Sequence, residues 1–291
     1  MILQVSRGTI CIFARLRSSG DYNHLLAREM TSSTPDGRVS KRVVVIMAML
    51  AEATPLLKSL GCDPESPDRF LVKPGELGRV YTGAIVDEDS NSQLEVFVVC
   101  NGKCITYGCD SVGKVPAAVV THMAINELKP DILINAGTCG GFASQGCAIG
   151  DVFVVSQCKV HDARIPLPVL EDYGVGSWKP RSAMNLVTFL GVKSGILTTG
   201  DSLDCPDIDR DTIAKSGAHV KDMEGSAIAY IAKINGDVPV ILIKSVTDIV
   251  DGGRATQEEF LENLHTAATA LMDKMTKTLD FINKEDISSF G

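Results

Sequence analysis

Short runs of apolar, often β-branched residues recur along the chain from Val43 onwards. Runs of this length and composition predict buried β-strands. The predicted strands are Val43–Met47, Val80–Val86, Leu94–Cys100, Ile132–Asn135, Val152–Val160, Gly195–Thr199, His219–Met223 and Val240–Val246.

Between several of these strands, apolar residues recur at helical spacing instead. The predicted helices are Leu50–Leu60, Val115–Leu128, Ile208–Ser216 and Glu224–Ile234. A last helix is predicted to begin at Thr256, because Thr256–Glu259 has the capping-box pattern and apolar residues from Phe260 onwards share one face. Near-continuous apolar strands that alternate with helices indicate an α/β fold. We therefore expect one domain over residues 41–291, with a central, mostly parallel sheet flanked by helices.

Residues 1–40 have a different composition from the rest of the chain. They contain Arg7, Arg15, Arg17, Arg28 and Arg38, several serines and few acidic residues. This pattern predicts a disordered extension, with a transit peptide as an open alternative. No function is assigned to this segment.

Composition narrows the class of protein further. The chain has 291 residues, 45% of them hydrophobic, and a net charge of −8. It is too apolar for a disordered chain, and its negative charge disfavours nucleic-acid binding. No apolar run approaches the roughly 18 residues of a membrane-spanning helix. We therefore predict a cytoplasmic globular protein without a nucleic-acid or membrane partner.

The nine cysteines are odd in number and scattered from Cys11 to Cys205. In a chain of this length such usage indicates reduced, buried thiols in an intracellular protein rather than a disulfide framework. Cys100, Cys104 and Cys109 cluster, but no histidine pair accompanies them. A zinc site is therefore the weaker interpretation, and no metal is predicted.

Polar residues follow four of the predicted strands at the point where each strand ends. Glu52 follows the first strand, a glycine-rich turn at Gly137–Gly141 follows the fourth, and Glu224 and Asp248 follow the last two. In an open α/β sheet, ligands bind outside the carboxyl ends of the strands. Each carboxylate has a plainer explanation as a helix-terminal or solvated group. Their position at one rim nevertheless predicts a shared site.

Three other motifs are incomplete. Gly108–Lys114 matches the start of a nucleotide-binding P-loop, but Val115 replaces the hydroxyl residue that binds Mg²⁺. The glycines of Gly137–Gly141 lack dinucleotide-binding spacing. Gly200–Leu203 is similar to a serine-esterase signature, but the sequence offers no matching base and orienting acid. None of the three is adopted.

Six segments in order resemble the 5′-methylthioadenosine nucleosidases, above all their plant form. These segments are Val45–Glu52, Asn135–Gly141, Gly150–Val152, Gly200–Asp201, Asp222–Gly225 and Ser245–Asp248, and the resemblance extends over residues 42–285. It implies the nucleoside phosphorylase/hydrolase fold, a homodimer and no cofactor. The implied reaction is hydrolysis of 5′-methylthioadenosine to adenine and 5-methylthioribose in methionine salvage.

The same resemblance implies the role of each site residue. Asp248 would protonate N7 of the purine, and Glu52 would act as the base that positions water. Glu224 would bind the ribose hydroxyls. The other substrate-binding residues implied are Val112, Thr138, Leu203, Lys221, Asp222 and Met223. The loop Ile165–Leu170 is expected to help close the pocket around the 5′ substituent, partly across the dimer.

The residue types suit this chemistry independently, since two carboxyl groups can protonate a leaving group and activate water at a glycosidic bond. Three questions stay open at this point. A purine nucleoside phosphorylase would need a cationic phosphate site, and Asn135 stands where related phosphorylases look to have arginine. A storage or nucleoside-binding protein of the same fold is the second alternative. S-adenosylhomocysteine is a possible further substrate.

Overall fold

The computed structural model describes residues 2–6, 9–13, 32–33, 39–73, 75–87, 91–168 and 170–286, with side-chain environments from Ser40 onwards. Two strands near the start, β1 (Ile2–Ser6) and β2 (Thr9–Phe13), pair antiparallel with each other. The predicted disordered extension over residues 1–40 lies largely outside the described residues and stays a prediction, as does the transit peptide.

A mixed sheet forms the centre of the described chain. Its strands are β3 (Ser32–Ser33), β4 (Val39–Met47), β5 (Arg69–Val72), β6 (Leu77–Asp87), β7 (Ser92–Gly102), β8 (Ile132–Gly141), β9 (Val152–Val160), β10 (Lys193–Thr199), β11 (Val220–Asp222) and β12 (Val240–Ile249). The order is β11-β10-β9-β12-β8-β4-β7-β6-β5, with β3 beside β4. Neighbours within the central group β7, β4, β8 and β12 run parallel. Because β11 also pairs with the end of β8, strands β8 to β12 close into a small barrel.

Helices cover both faces of this sheet. They are α1 (Leu50–Ser59), α2 (Lys114–Leu128), α3 (Glu171–Val175), α4 (Met184–Leu190), α5 (Asp207–Ser216), α6 (Gly225–Ile234) and α7 (Thr256–Lys284). Strand β4 shows the layering: Val43 and Val45 belong to one core with α1 and α7, whereas Val44 and Ile46 belong to a second core with α2 and α6. Neither face of a strand that is buried on both sides contacts water, so both faces carry apolar side chains. This explains the continuous apolar sequence Val43–Met47.

The predicted class, a single α/β domain with a central sheet flanked by helices, is confirmed. The prediction of a turn at Gly137–Gly141 is wrong, because β8 continues through Gly141. None of the helices in the described part of the chain has the length and apolarity needed to cross a bilayer.

The described cysteines have free thiols. Most are buried, but Cys109 is exposed, so the prediction of buried thiols is wrong at that position. Across the described residues, no group of three or more His, Cys, Asp or Glu side chains is placed to hold a metal ion.

Candidate active site

A cavity of about 180 Å³ lies where β4, β8, β11 and β12 end. This is the rim predicted from the sequence, and it follows from the parallel course of β4, β8 and β12. The cavity is bordered by all nine predicted site residues, which are Glu52, Val112, Thr138, Leu203, Lys221, Asp222, Met223, Glu224 and Asp248. Further residues that the sequence prediction did not assign to the site also line it, namely Ala48, Met49, Cys139, Gly140, Thr247, Val250, Thr256 and Phe260.

Glu52 is fixed on the floor of the cavity by the first turn of α1. Glu52 is buried, with a fractional exposure of only 4%. Its Oε1 accepts hydrogen bonds from the amide of Thr138 at 2.7 Å and from the Thr138 hydroxyl at 2.5 Å, and its Oε2 accepts one from the amide of Met49 at 3.3 Å. The N-terminal end of a helix stabilises a negative charge at this position. The carboxylate therefore has a fixed orientation from which it can accept a proton from a bound water.

Two glycines of β8 leave room for the acidic side chains. A Cβ atom at Gly137 would lie 3.5 Å from Glu52 Oε1 and 3.6 Å from Lys244 Nζ. A Cβ atom at Gly140 would lie 2.8 Å from Asp248 Oδ2 and 2.6 Å from a methyl group of Val250. A side chain at position 140 would collide with Asp248 and Val250, so glycine is needed there for close packing. The glycine-rich sequence therefore belongs to a closely packed strand and does not form a turn.

A β-bulge at Thr247 turns Asp248 toward the cavity. In the register of β12 with β8, Val246 pairs with Cys139 and Asp248 pairs with Gly140, so Thr247 is the extra residue. Cys139 and Gly140 are successive residues of β8 and point to opposite faces. Val246 therefore enters the core while Asp248 enters the cavity, which is a typical use of a bulge beside a functional site.

The environment of Asp248 favours its protonated form. The residue is 2% exposed, and burial raises its pKa above the ordinary value, with a smaller contribution from Glu259. A 2.7 Å hydrogen bond from the Thr247 hydroxyl to Oδ1 and the charge of Lys221 act in the opposite direction. The net effect is a carboxyl group that holds its proton at higher pH than an exposed aspartate does.

Glu224 borders a buried group of charges behind the cavity. Its Oε1 accepts a hydrogen bond from the amide of Gly113 at 2.7 Å. Burial, and then the charge of Asp222, raises the pKa of Glu224 to about 7, while Lys244 and the Gly113 amide lower it. The charge of Glu224 therefore depends on these neighbours, with burial and Asp222 favouring the neutral acid and Lys244 favouring the carboxylate.

Lys244 supplies the positive charge of this group. It is 1% exposed, and its Nζ lies 2.8 Å from Asp222 Oδ2. Burial opposes its charge, but Asp222 and Glu224 together raise the pKa of Lys244 above its ordinary value. The sequence prediction missed Lys244. A lysine inside the apolar strand Val240–Val246 was the signal that could have identified it, because a buried lysine needs an acidic partner.

Asp222 borders the cavity, but its carboxylate bonds to the protein itself. Its Oδ1 accepts a hydrogen bond from the Thr199 hydroxyl at 2.6 Å. Its Oδ2 accepts one from the amide of Gly225 at 2.8 Å, in addition to the ion pair with Lys244. Asp222 therefore fixes Lys244 and the start of α6 beneath Glu224.

The remaining predicted residues form the walls of the cavity. Lys221 donates from Nζ to the carbonyls of Ser202 at 2.5 Å and Leu203 at 3.1 Å, which holds that loop over the site. Val112 and Leu203 are 42% and 43% exposed at the mouth, although both are apolar. Met223 is half-buried and also lines the cavity.

Two segments discussed from the sequence lie apart from the cavity. No described residue of the loop Ile165–Leu170 lines it. Asn135 is buried in β8, where its Nδ2 donates to the carbonyl of Ile46 at 3.1 Å. The side chain of Asn135 therefore serves the sheet rather than a phosphate site.

Comparison with known proteins agrees with this fold. The family model of the phosphorylase superfamily matches residues 42–280. A 5′-methylthioadenosine/S-adenosylhomocysteine nucleosidase of Arabidopsis thaliana is 46% identical over 257 residues, which cover 87% of this chain and 97% of that protein. A 5′-methylthioadenosine nucleosidase of the same plant is 46% identical over 84% of this chain and 89% of its own length.

The solved structures lead to the same relatives. The apo structure of Arabidopsis thaliana 5′-methylthioadenosine nucleosidase has a TM-score of 0.79 and 46% identity, covering 85% of this chain and 98% of that chain. The chain therefore belongs to the phosphorylase superfamily and, within it, to the family of 5′-methylthioadenosine/S-adenosylhomocysteine nucleosidases. The resemblance drawn from the sequence motifs is confirmed.

Proposed function

We propose that this protein hydrolyses the N-glycosidic bond of 5′-methylthioadenosine to release adenine and 5-methylthioribose, as a step of methionine salvage. The observation that supports this most is the pairing of two unlike carboxyl groups in one cavity. Asp248 has a raised pKa because it is buried, whereas the carboxylate of Glu52 accepts hydrogen bonds from the amide and the hydroxyl of Thr138. One group is thus suited to donate a proton and the other to accept one.

In the proposed reaction Asp248 protonates N7 of adenine as the bond to the sugar breaks. An aspartate of ordinary pKa, about 3.9, is only about one part in a thousand protonated at pH 7. An acid in this role therefore needs a pKa raised above the ordinary value. The burial of Asp248 acts in this direction, and closure of the site around the substrate removes the remaining water.

The sugar then carries the positive charge, and the other two carboxylates act on it. Glu224 accepts hydrogen bonds from the ribose hydroxyls, and its negative charge stabilises the developing cation. Glu52 holds a water molecule and removes its proton as the water attacks the sugar carbon. Met223 packs under the sugar, and Leu203 packs against the adenine ring.

Replacement of the acid tests this proposal. Asp248→Asn preserves the size of the side chain and its bond to Thr247 but removes the transferable proton. We expect kcat for adenine release from 5′-methylthioadenosine to fall at least about 100-fold, with an unchanged circular dichroism spectrum. Wild-type turnover in this variant would remove Asp248 from the mechanism.

Glu52 also opposes a phosphorylase reaction. A phosphate placed about 4 Å from this carboxylate would be repelled by about 4 kcal/mol per unit charge at an effective dielectric constant of 20. Moreover, none of the described residues that line the cavity is an arginine. A water molecule is neutral and is not repelled by Glu52, so water is the nucleophile that suits this cavity. S-adenosylhomocysteine is proposed as a second substrate, since a relative that is 46% identical is named for both nucleosides.

We also propose that the protein is a cytoplasmic homodimer. The mouth of the cavity exposes Val112 and Leu203, and the loop Ile165–Leu170 of the same chain exposes Leu167, which is 49% accessible, away from the cavity. Exposed apolar surface of this kind is typical of a protein–protein contact, and a second copy of the chain would remove it from water. A partner's loop that packs over the mouth would complete the pocket for the 5′ substituent.

A further inference from the structure

Two cysteines face each other across a short hairpin beside the site. The amide of Cys104 donates a hydrogen bond to the carbonyl of Cys109 at 2.8 Å, and the next residues outward, Lys103 and Asp110, form an antiparallel bridge. Residues directly opposite each other on antiparallel strands have Cα atoms about 4.5–5.5 Å apart. Disulfides connect Cα atoms about 4.4–6.8 Å apart. The backbone pairing therefore brings the Cα atoms of Cys104 and Cys109 to a separation that a disulfide bond can connect.

These two thiols are also the most open to oxidation among the cysteines described. Cys104 is half-buried and Cys109 is exposed. Hydrogen bonds from the backbone of Tyr107 and Thr106 lower the pKa of Cys104. Burial instead raises the pKa of the other cysteines whose shift is resolved, which are Cys62, Cys100, Cys139, Cys147, Cys158 and Cys205. Because the thiolate is the reactive form, oxidation should begin in the hairpin.

The segment Cys109–Gly113 joins the hairpin to Glu224 and to the helix that carries Glu52. Asp110 Oδ2 accepts a hydrogen bond at 3.3 Å from the amide of Leu50, the first residue of the helix that carries Glu52. At the other end of the segment, the amide of Gly113 donates to Glu224 at 2.7 Å. A displacement of Cys109 is therefore transmitted over at most four residues to Glu224 and to the helix that carries Glu52.

We propose that Cys104 and Cys109 form a reversible disulfide that lowers the activity of the neighbouring site. With hydrogen peroxide as oxidant, the Cys104 thiol loses its proton, the thiolate attacks one peroxide oxygen and the O–O bond breaks. A sulfenic acid forms, and the departing hydroxide takes up the proton that the thiol lost and becomes water. The Cys109 thiol then attacks the sulfenic sulfur, the S–S bond forms, and the hydroxyl leaves as a second water. Two thiols and one hydrogen peroxide thus yield one disulfide and two waters, with two electrons passing from sulfur to oxygen.

The loss of activity follows from the movement that the bond requires. Cβ atoms of directly opposed strand residues lie about 4.5–5.5 Å apart, whereas a disulfide needs about 3.8 Å. Closing this gap pulls Cys109 and the segment that follows it. Since a misplacement of about 1 Å can reduce a rate by about 100-fold, a partial shift of Glu224 and Glu52 is expected to have a clear effect.

The test uses the full-length protein, first reduced and then treated with hydrogen peroxide. Trypsin releases Cys104–Lys114 as one peptide, because Lys103 precedes it and Lys114 ends it. We expect this peptide to lose the mass of two hydrogens and to resist alkylation. Adenine release should fall at least about fivefold, given the sensitivity of rates to misplaced groups, and dithiothreitol should restore both readouts.

Cys104→Ser and Cys109→Ser should each keep their activity under peroxide, and Cys62→Ser, the matched control, should respond as the wild type does. The proposal is overturned if the peptide stays a dithiol or only takes up oxygen, or if the disulfide forms without a loss of activity. The activity readout rests on the proposed function. Absence of adenine release from the reduced protein would contradict that function instead, and the peptide mass would still decide whether the disulfide forms.

Discussion

At the scale of single residues, three acidic side chains share one cavity but have different neighbours. Glu52 accepts hydrogen bonds from Thr138, Asp248 is buried with few donors, and Glu224 lies between Asp222 and Lys244. Hydrogen bonds and nearby cations stabilise a carboxylate, whereas burial stabilises the neutral acid. The division of labour in the proposed reaction follows from these surroundings and not from residue type.

Lys244 is predicted to set the pH at which Glu224 becomes ionised. In Lys244→Met, Glu224 loses a neighbouring positive charge, so its pKa rises above the value of about 7 in the wild type. Catalysis needs the carboxylate, so the acidic limb of the kcat/KM–pH profile should move to higher pH by about 1 unit or more.

Lys244→Arg keeps the charge and is the matched control, with a profile close to that of the wild type. An acidic limb that stays in place in Lys244→Met, measured on protein whose thermal unfolding remains cooperative, would contradict this role.

At the scale of secondary-structure elements, the site depends on how closely β8 and β12 approach each other. Gly140→Ala places a Cβ atom 2.8 Å from Asp248 Oδ2 and 2.6 Å from Val250. Asp248 must therefore move, and we expect kcat to fall by about tenfold or more while the sheet persists. Gly75→Ala is the control, because its Cβ would lie 3.8 Å from the nearest atom, an ordinary contact. Equal kcat in the two variants would show that the position of Asp248 is not critical.

Elements defined by local pattern could be predicted from the sequence, and elements defined by distant contacts could not. The strand Val152–Val160 was predicted at its observed bounds, because its apolar run is bounded by polar residues on both sides. The segment Gly137–Gly141 was predicted as a turn, since glycine is usually a local signal. Its glycines instead make room for side chains that lie outside the segment. Gly140 makes room for Asp248, and Gly141 makes room for Val246 and Cys147.

The same reasoning explains what was found and missed in the site. Residues that follow predicted strands, such as Glu224 and Asp248, could be placed at the rim by the topology rule for α/β sheets, although β12 itself continues past Asp248 to Ile249. Thr256 and Phe260 come from the start of α7 and also line the cavity. Nothing local in the sequence shows that this helix end approaches the rim, because the contact depends on the path of the whole chain.

At the scale of the whole molecule, the cavity mouth predicts an active dimer. We expect sedimentation velocity to give a particle of twice the 31.1 kDa chain mass. Leu167→Asp should weaken the dimer and raise KM for 5′-methylthioadenosine, because Leu167 is exposed on the loop proposed to cover the partner's site. A fully active monomer would contradict this arrangement.

The identity of the nucleophile tests the account most directly, because every role assigned to Glu52 assumes water. The measurement follows adenine release from 5′-methylthioadenosine by the purified protein in phosphate-free buffer and again with added phosphate, and it identifies the sugar product. We expect equal rates and free 5-methylthioribose in both buffers. A rate that requires phosphate, with a sugar 1-phosphate as product, would contradict the central claim.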